Sequence, residues 1–381
     1  MRGLHIKNAR LLDARGERMG ELYLSDGRIG LNPAAFEQEI DAQGMVLMPA
    51  LIDLHCHLRD PGLTYKEDLQ SGMRAALKGG YGTLCAMANT APVISTPALV
   101  EANHEKAQKL RLCTLIQAAA AGMELKDETP TDWAALSKAT KLLSNDGQTI
   151  FSDGFMKRLL AASAEYGFLI STHCQPERRI IARDLSLLKE AGGRLHIGHI
   201  SHRESLERIR AAKAEGLAFS CEVTPHHIFG FGCDYRVNPP LRERADVQAL
   251  IQGIKDGVID CLSTDHAPHS PGDKEAGMAG ISNIEYALQV FLEVFYQNAI
   301  PLTVLSRMAS LRPAGLLGLN KGLIEEGYDA DLVLLDPDSP GTIRAGEMVS
   351  RSHNTPFDGR AVRGRILCTI VEGEVRYDAR H

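Results

Sequence analysis

No CxxC pair occurs among the eight cysteines, which are scattered along 381 residues with several inside strand-like runs. In a chain of this length they read as reduced, buried thiols. No apolar run is long enough to cross a bilayer. The start, Met1-Arg2-Gly3-Leu4-His5-Ile6-Lys7, lacks the apolar segment of a secretory signal. The expectation is a soluble cytoplasmic protein with no membrane partner. Basic residues are not in excess: Lys and Arg total 42 against 48 Asp and Glu, a formal net charge of −6. A nucleic-acid partner would favour a basic face, so none is expected. Low-complexity segments are also missing. What remains is ordinary globular composition, 44% hydrophobic and 24% charged, enough apolar material for a large core.

The chain divides by texture. Residues 1–50 read as short strands with tight turns, including Gly20-Glu21-Leu22-Tyr23-Leu24 and a hairpin around Asp26-Gly27. From 51 to about 300, β-like runs near 51–55, 82–87, 112–118, 148–152, 168–173, 194–199, 217–223 and 259–263 alternate with helix-length segments. Helices are expected over 66–79, 97–109, 154–166, 177–191, 202–215, 246–256 and 284–298, with Gly79-Gly80 and Gly192-Gly193 as stops. Eight such units in about 250 residues match an α/β (β/α)8 barrel. A doubly wound open sheet is the rival, but no GxGxxG follows the first run. Strand texture returns at 329–336 and 365–375, with Glu372-Gly373 as a turn. The expected organisation is a barrel over 51–319 and one small β-sandwich built from both termini, 1–50 and 320–381.

Active sites of such barrels collect at the C-terminal ends of the strands, and metal-ligating residue types concentrate there. The first strand delivers His55, His57 and Arg59. On a strand, i and i+2 point to one side, so the two imidazoles can converge on one ion, with a guanidinium fork for a carboxylate beside them. Asn89 follows the second strand, Asp153 the fourth, His173 the fifth and His199 the sixth. The seventh runs into Glu222-Val223-Thr224-Pro225-His226-His227, and the eighth ends in Thr264-Asp265-His266-Ala267-Pro268-His269. Taken singly, each has an ordinary structural explanation: Asn89 as a turn former, Asp153 as a helix N-cap. His196 and His202 flank His199, and parity does not choose among the three. His5, His104, His353 and His381 lie outside the strand ends and carry no role. Joint occurrence on five strands outweighs the single explanations, and a metal-assisted reaction on a small acidic substrate follows.

The segment His55-Cys56-His57-Leu58-Arg59-Asp60-Pro61-Gly62, with Lys66-Glu67-Asp68 and Ser71-Gly72, resembles the start of a dihydroorotase barrel. Ala88-Asn89-Thr90-Ala91-Pro92, Glu222 to His227, Asn238-Pro239-Pro240-Leu241-Arg242, Thr264 to His269 and Asn354-Thr355-Pro356-Phe357 resemble that family in its order. The likeness covers nearly the whole chain and points to the amidohydrolase superfamily, in the bacterial and multifunctional branch. It implies reversible cyclisation of N-carbamoyl-L-aspartate to L-dihydroorotate in pyrimidine synthesis, by a metal-activated hydroxide with an aspartate proton shuttle. His55, His57 and Asp265 would hold one zinc, and His173 and His199 a second. The bridge is a carboxylated lysine in many relatives and an aspartate in some; here Asp153 is assigned, since Lys157 lies a turn later. Asp265 would carry the proton, Arg59, Asn89 and His269 would hold the substrate carboxylate, and Asn238 would support the ring. A homodimer, and possible association with aspartate transcarbamoylase, are also implied.

Several positions depart from the family pattern. His173-Cys174-Gln175-Pro176 stands where His-Cys-Glu-Asp is common, and the stretch from His173 to His199 is barely one helix. Ala88 replaces a proline, and one aspartate precedes Gly154 where two are usual. The rivals are another cyclic amidase, such as a hydantoinase or allantoinase, and an inactive homologue that scaffolds aspartate transcarbamoylase. Arg59 with His269 argues against the first, and a full set of ligands against the second.

Overall fold

The computed structural model describes residues 3–31 and 35–380, so His381 and the first two residues lie outside the described part. Eight short parallel strands form the barrel: Leu51–Cys56, Tyr81–Ala86, Thr114–Gln117, Leu142–Ser144, Leu169–Thr172, Leu195–Ile197, Ser220–Val223 and Cys261–Leu262. They pair in sequence order as a three-stranded and a five-stranded arc. Two parallel bridges, Ala119 to Leu143 and Cys56 to His266, close the arcs into a ring. The strands are buried on both faces, as a parallel sheet wrapped by helices requires.

The helices lie close to their expected places, for example Leu69–Lys78, Pro97–Leu110, Asp153–Tyr166, Glu177–Ala191 and Arg203–Ala214. Local chemistry sets their ends. Asp68 caps the first of these in a reciprocal pair with Ser71, and Gly167 takes φ 80° where Asp153–Tyr166 stops. The fourth barrel strand differs from expectation. It runs Leu142–Ser144, and residues 148–152 are loop. The barrel needs only three residues there, paired at Leu142–Leu169 and Ser144–Ser171, so the more strand-like Thr149-Ile150-Phe151 is free to connect strand to helix.

Both termini contribute to one smaller β-sandwich. Its hydrogen-bonded order is Glu374–Asp378, Ala361–Val371, Leu332–Thr342, Val46–Pro49, Leu4–Asp13, Gly16–Ser25 and Arg28–Gly30. Leu4–Asp13 pairs first with Gln38–Asp41 and then with Val46–Pro49, on either side of an irregularity where Asn8 has φ 55°. A bulge of this kind lets one strand pair with two neighbours in succession. The turn at Asp26-Gly27 has positive φ at both residues, the geometry that matches the twist of a two-residue hairpin. Ile6, Leu22, Leu24, Leu47, Leu332 and Ile370 fill this second core. Lys321 joins the two parts by an ion pair with Asp331 and hydrogen bonds to Thr83 and Thr114 at the barrel's edge.

Candidate metal centre and anion pocket

The first barrel strand ends with His55 and His57 directed inward beside the eighth. His57 N–H donates to the His266 carbonyl and Asp265 N–H to the His55 carbonyl, both at 2.8 Å. Buried Asp53 supports this seam by accepting from Thr264 N–H at 2.9 Å and His55 N–H at 3.2 Å. Burial pushes its carboxyl up to about 7, against those hydrogen bonds. Arg59, His199 and Asp265 all have positive φ, at 58°, 31° and 46°. Such backbone costs on the order of 1–3 kcal/mol per residue and persists where the surroundings enforce it, typically at functional sites.

Six buried ligand-type side chains meet at the barrel mouth. His55, His57, His173, His199 and Asp265 are the five expected members. The sixth is Asp146, which follows the short fourth strand. Its carboxylate lies 3.2 Å from His55 Nε2, 3.3 Å from His57 Nε2, 3.4 Å from His173 Nδ1 and 3.5 Å from His199 Nε2. Asp265 Oδ1 is 3.2 Å from His57 Nε2 and 3.7 Å from His55 Nε2. Asp153 does not reach the cluster. It is exposed in the first turn of Asp153–Tyr166, with its carboxylate accepting from Arg183 at 2.9 Å. The assignment of Asp153 is therefore corrected to Asp146, because the strand ends at residue 144 and not near 152. The signal was present: Leu142-Leu143-Ser144-Asn145-Asp146-Gly147 is also an apolar run leading into Asp-Gly.

The donor set suits a divalent cation. His55 Nδ1–H donates to Glu222 Oε1 at 2.8 Å, and His57 Nδ1–H donates to Asn89 Oδ1 at 2.8 Å. Each ring then turns Nε2 toward carboxylate oxygens. Buried His55 Nε2 has no hydrogen-bond partner among the described residues, an arrangement that a positive ion between the groups resolves. Two groupings have ligand atoms within 4.8 Å of one another: His55 with Asp146 and His199, and His55 with His57 and Asp265. Electrostatics point the same way. Burial by itself would raise Asp146, but His55, His173 and His199 hold its carboxyl well below the usual range. Burial would lower His55, yet the nearby carboxylates hold it well above the ordinary imidazole value. The site thus demands positive charge.

Glu222, fully buried on the seventh strand, orients this centre. It accepts from His55, from His196 Nε2 at 2.9 Å and from Ser263. The sequence cue to it was a glutamate in the run Glu222-Val223-Thr224-Pro225-His226-His227 at the end of the seventh strand. His196 thus supports the centre through Glu222, whereas His202 caps the helix Arg203–Ala214. His227 sits between Thr224 Oγ1 at 2.7 Å and the Pro239 carbonyl at 3.0 Å, holding the loop that carries Asn238. Asn238 in turn places its amide 3.1 Å from His173 Nε2.

Beside the cluster a cavity of about 340 Å³ is lined by Arg59, Lys66, Asn89, Asn238, Asp265 and His269, among others. Arg59 Nη2 lies 3.3 Å from His269 Nε2, and Lys66 Nζ 3.3 Å from His269 Nδ1. Burial lowers Arg59 to about 10, with Asp265 and Asp146 opposing the shift, so it stays charged at neutral pH. Burial and then the two cations lower His269 to about 3, so its ring is neutral. Asn354, from the Asn354-Thr355-Pro356-Phe357 stretch, accepts the His269 backbone N–H at 2.9 Å and steadies this wall. The arrangement offers metal ligands at one end of a small chamber and a cationic, anion-seeking wall at the other.

Comparison with known proteins agrees with this geometry. A model described as the amidohydrolase family matches residues 46–376. The chain is 38% identical to a dihydroorotase of Clostridium botulinum, over 98% of this chain and 99% of that one. It is 33% identical to a dihydroorotase of Aquifex aeolicus, over 98% and 99%. Among solved structures, an L-hydantoinase (dihydropyrimidinase) from Arthrobacter aurescens matches with a TM-score of 0.90 and 25% identity, over 98% of this chain and 96% of that one.

Proposed function

We propose that this chain, which belongs to the amidohydrolase family and within it to the dihydroorotases, interconverts N-carbamoyl-L-aspartate and L-dihydroorotate at the barrel mouth. The observation that carries the reading is the pair of buried cations, Arg59 and Lys66, on either side of the neutral His269 ring, in the same chamber as the His-Asp cluster. A cyclic amide bearing a free carboxylate matches both ends of that chamber.

His55, His57 and Asp265 would hold one ion and His173 with His199 a second, with Asp146 between them. Zinc is the metal in this reading, since imidazole and carboxylate donors suit it. When bound, such ions lower the pKa of water and polarise an amide carbonyl. The chain's own residues do the rest. Arg59 offers a charged fork and His269 a neutral ring to the substrate carboxylate, and the Asn89 amide group completes the contact while its oxygen holds His57. These anchors orient the ring so that its amide faces the cluster, which lowers the entropy cost of reaction. Asp265 is buried at the chamber wall and ionised, with its carboxyl drawn far below the usual range by His57, His55 and His199 against its burial. In the hydrolytic direction its carboxylate takes the proton of the water that adds to the ring amide carbon, and returns it to the ring nitrogen as the C–N bond breaks. In synthesis the order reverses.

The test joins metal analysis to a dihydroorotate assay in both directions, with hydantoin as the competing substrate. Bound zinc with turnover of dihydroorotate is the expected result. Turnover of hydantoin alone, or a protein that binds no metal and hydrolyses neither, would overturn the reading. No helix among the described residues is long and apolar enough to cross a membrane. The homodimer and the assembly with aspartate transcarbamoylase belong to the same proposal. Sedimentation of the protein alone, and mixed with that enzyme, measures both.

A further inference from the structure

His269 is placed between two side chains that can only donate. Its Nε2 is 3.3 Å from Arg59 Nη2 and its Nδ1 is 3.3 Å from Lys66 Nζ. A neutral imidazole has one lone pair, so it satisfies one of these neighbours and turns an N–H against the other. Both cations are buried, at 7% exposure for Arg59 and 5% for Lys66, and bulk water does not relieve the conflict. Their other partners differ. Lys66 Nζ also lies 3.4 Å from Asp273 Oδ1, itself held by Tyr65 at 3.1 Å. Arg59 donates by its Nε to the Pro268 carbonyl at 3.3 Å, which leaves Nη2 aimed at the ring and the chamber. The Asp273 carboxylate is 3.9 Å from His269 Nδ1, too far for a hydrogen bond, and the Ala279 carbonyl also faces the ring.

We propose that Lys66 is a positioning residue that occupies the lone pair of His269 Nδ1 and so fixes the proton on Nε2. Nε2–H and Arg59 Nη2 then stand as two adjacent donors at the chamber wall, a pair suited to one carboxylate. Loss of Lys66 releases the ring to its other tautomer, whose Nε2 lone pair repels the substrate's oxygen and accepts from Arg59 in its place. The inference rests on the dihydroorotase reading for the identity of the carboxylate, but the tautomer itself does not.

The experiment uses 15N-histidine-labelled, metal-loaded protein, with the His269 signals assigned by their loss in His269→Gln. The expected spectrum shows a protonated Nε2 and an unprotonated Nδ1, and Lys66→Met shifts the pair toward protonated Nδ1. In kinetics, Lys66→Met raises KM for dihydroorotate on the order of 10-fold, leaves kcat within about threefold and keeps the metal content. Lys66→Arg, which still donates to Nδ1, restores both the spectrum and KM. A wild-type His269 protonated on Nδ1, a Lys66→Met spectrum like wild type, or an unchanged KM would each overturn the proposal. A wild-type protein with the expected tautomer but no turnover of dihydroorotate would instead count against the functional reading alone.

Discussion

Asp146 and Asp153 make a paired test, because both are aspartates followed by glycine and only one faces the cluster. Asp146→Asn keeps the shape of the side chain and removes one unit of charge. In the structure that charge sits 3.2 to 3.5 Å from four imidazole nitrogens. At an effective dielectric near 20, one pair of unit charges about 3.3 Å apart is worth about 5 kcal/mol. Half of that surviving as the net loss, about 2.5 kcal/mol, is roughly a 70-fold weakening of metal binding. Asp153→Asn removes an exposed pair with Arg183, of a kind that contributes about 0–1 kcal/mol. The measurement is the metal-to-protein ratio after dialysis against a graded chelator, alongside kcat/KM for dihydroorotate. Asp146→Asn is expected to lose metal at the lower chelator concentrations and to lose activity with it, while Asp153→Asn stays within about twofold of wild type. The reverse pattern, or equal losses in both, would refute the placement of the fourth strand and the bridge built on it.

Asp265→Asn is expected to reduce kcat by about 10²–10⁴, the range of a positioned acid-base group, with an unchanged circular dichroism spectrum; a variant that keeps most of its turnover removes the shuttle. Arg59→Met is expected to act mainly on KM, by about 10-fold or more, and an unchanged KM argues against the carboxylate contact. His227 gives a pH prediction. Burial is the first cause that lowers its pKa, to about 4, from an ordinary value near 6.5. Its neutral ring is therefore favoured in the folded state, and the unfolded chain binds the extra proton between these values. The His227 contribution is intact above about pH 6.5 and is lost as pH falls toward 4, on the order of 3 kcal/mol in all. Urea unfolding at several pH values, compared with His227→Asn, checks it; the variant's stability should fall less steeply across that window, and parallel slopes would refute the assignment.

The strand ends were legible along the chain because strand parity and barrel topology are local or nearly so. His55 and His57 share a face by their spacing, and Asp265 with His269 follows the last barrel strand in the same way. The terminal β segments could also be recognised, since paired Asp-Gly and Glu-Gly turns require positive φ that few other dipeptides adopt. The fourth strand escaped for an energetic reason. Three residues carry little periodic signal, and Thr149-Ile150-Phe151 has the stronger intrinsic preference, which the ring's register overrides.

The sequence by itself thus settled the barrel, the kinds of ligand it presents and the arginine that asks for a carboxylate. Only the tertiary structure decided which aspartate stands among the four histidines, that Glu222 holds His55 from 167 residues away, and that Lys66 reaches His269 across 203. Those contacts depend on where each strand stops and which neighbour the closed ring brings beside it. Residue types and spacings carry chemistry along one strand; convergence between strands is a property of the packed barrel.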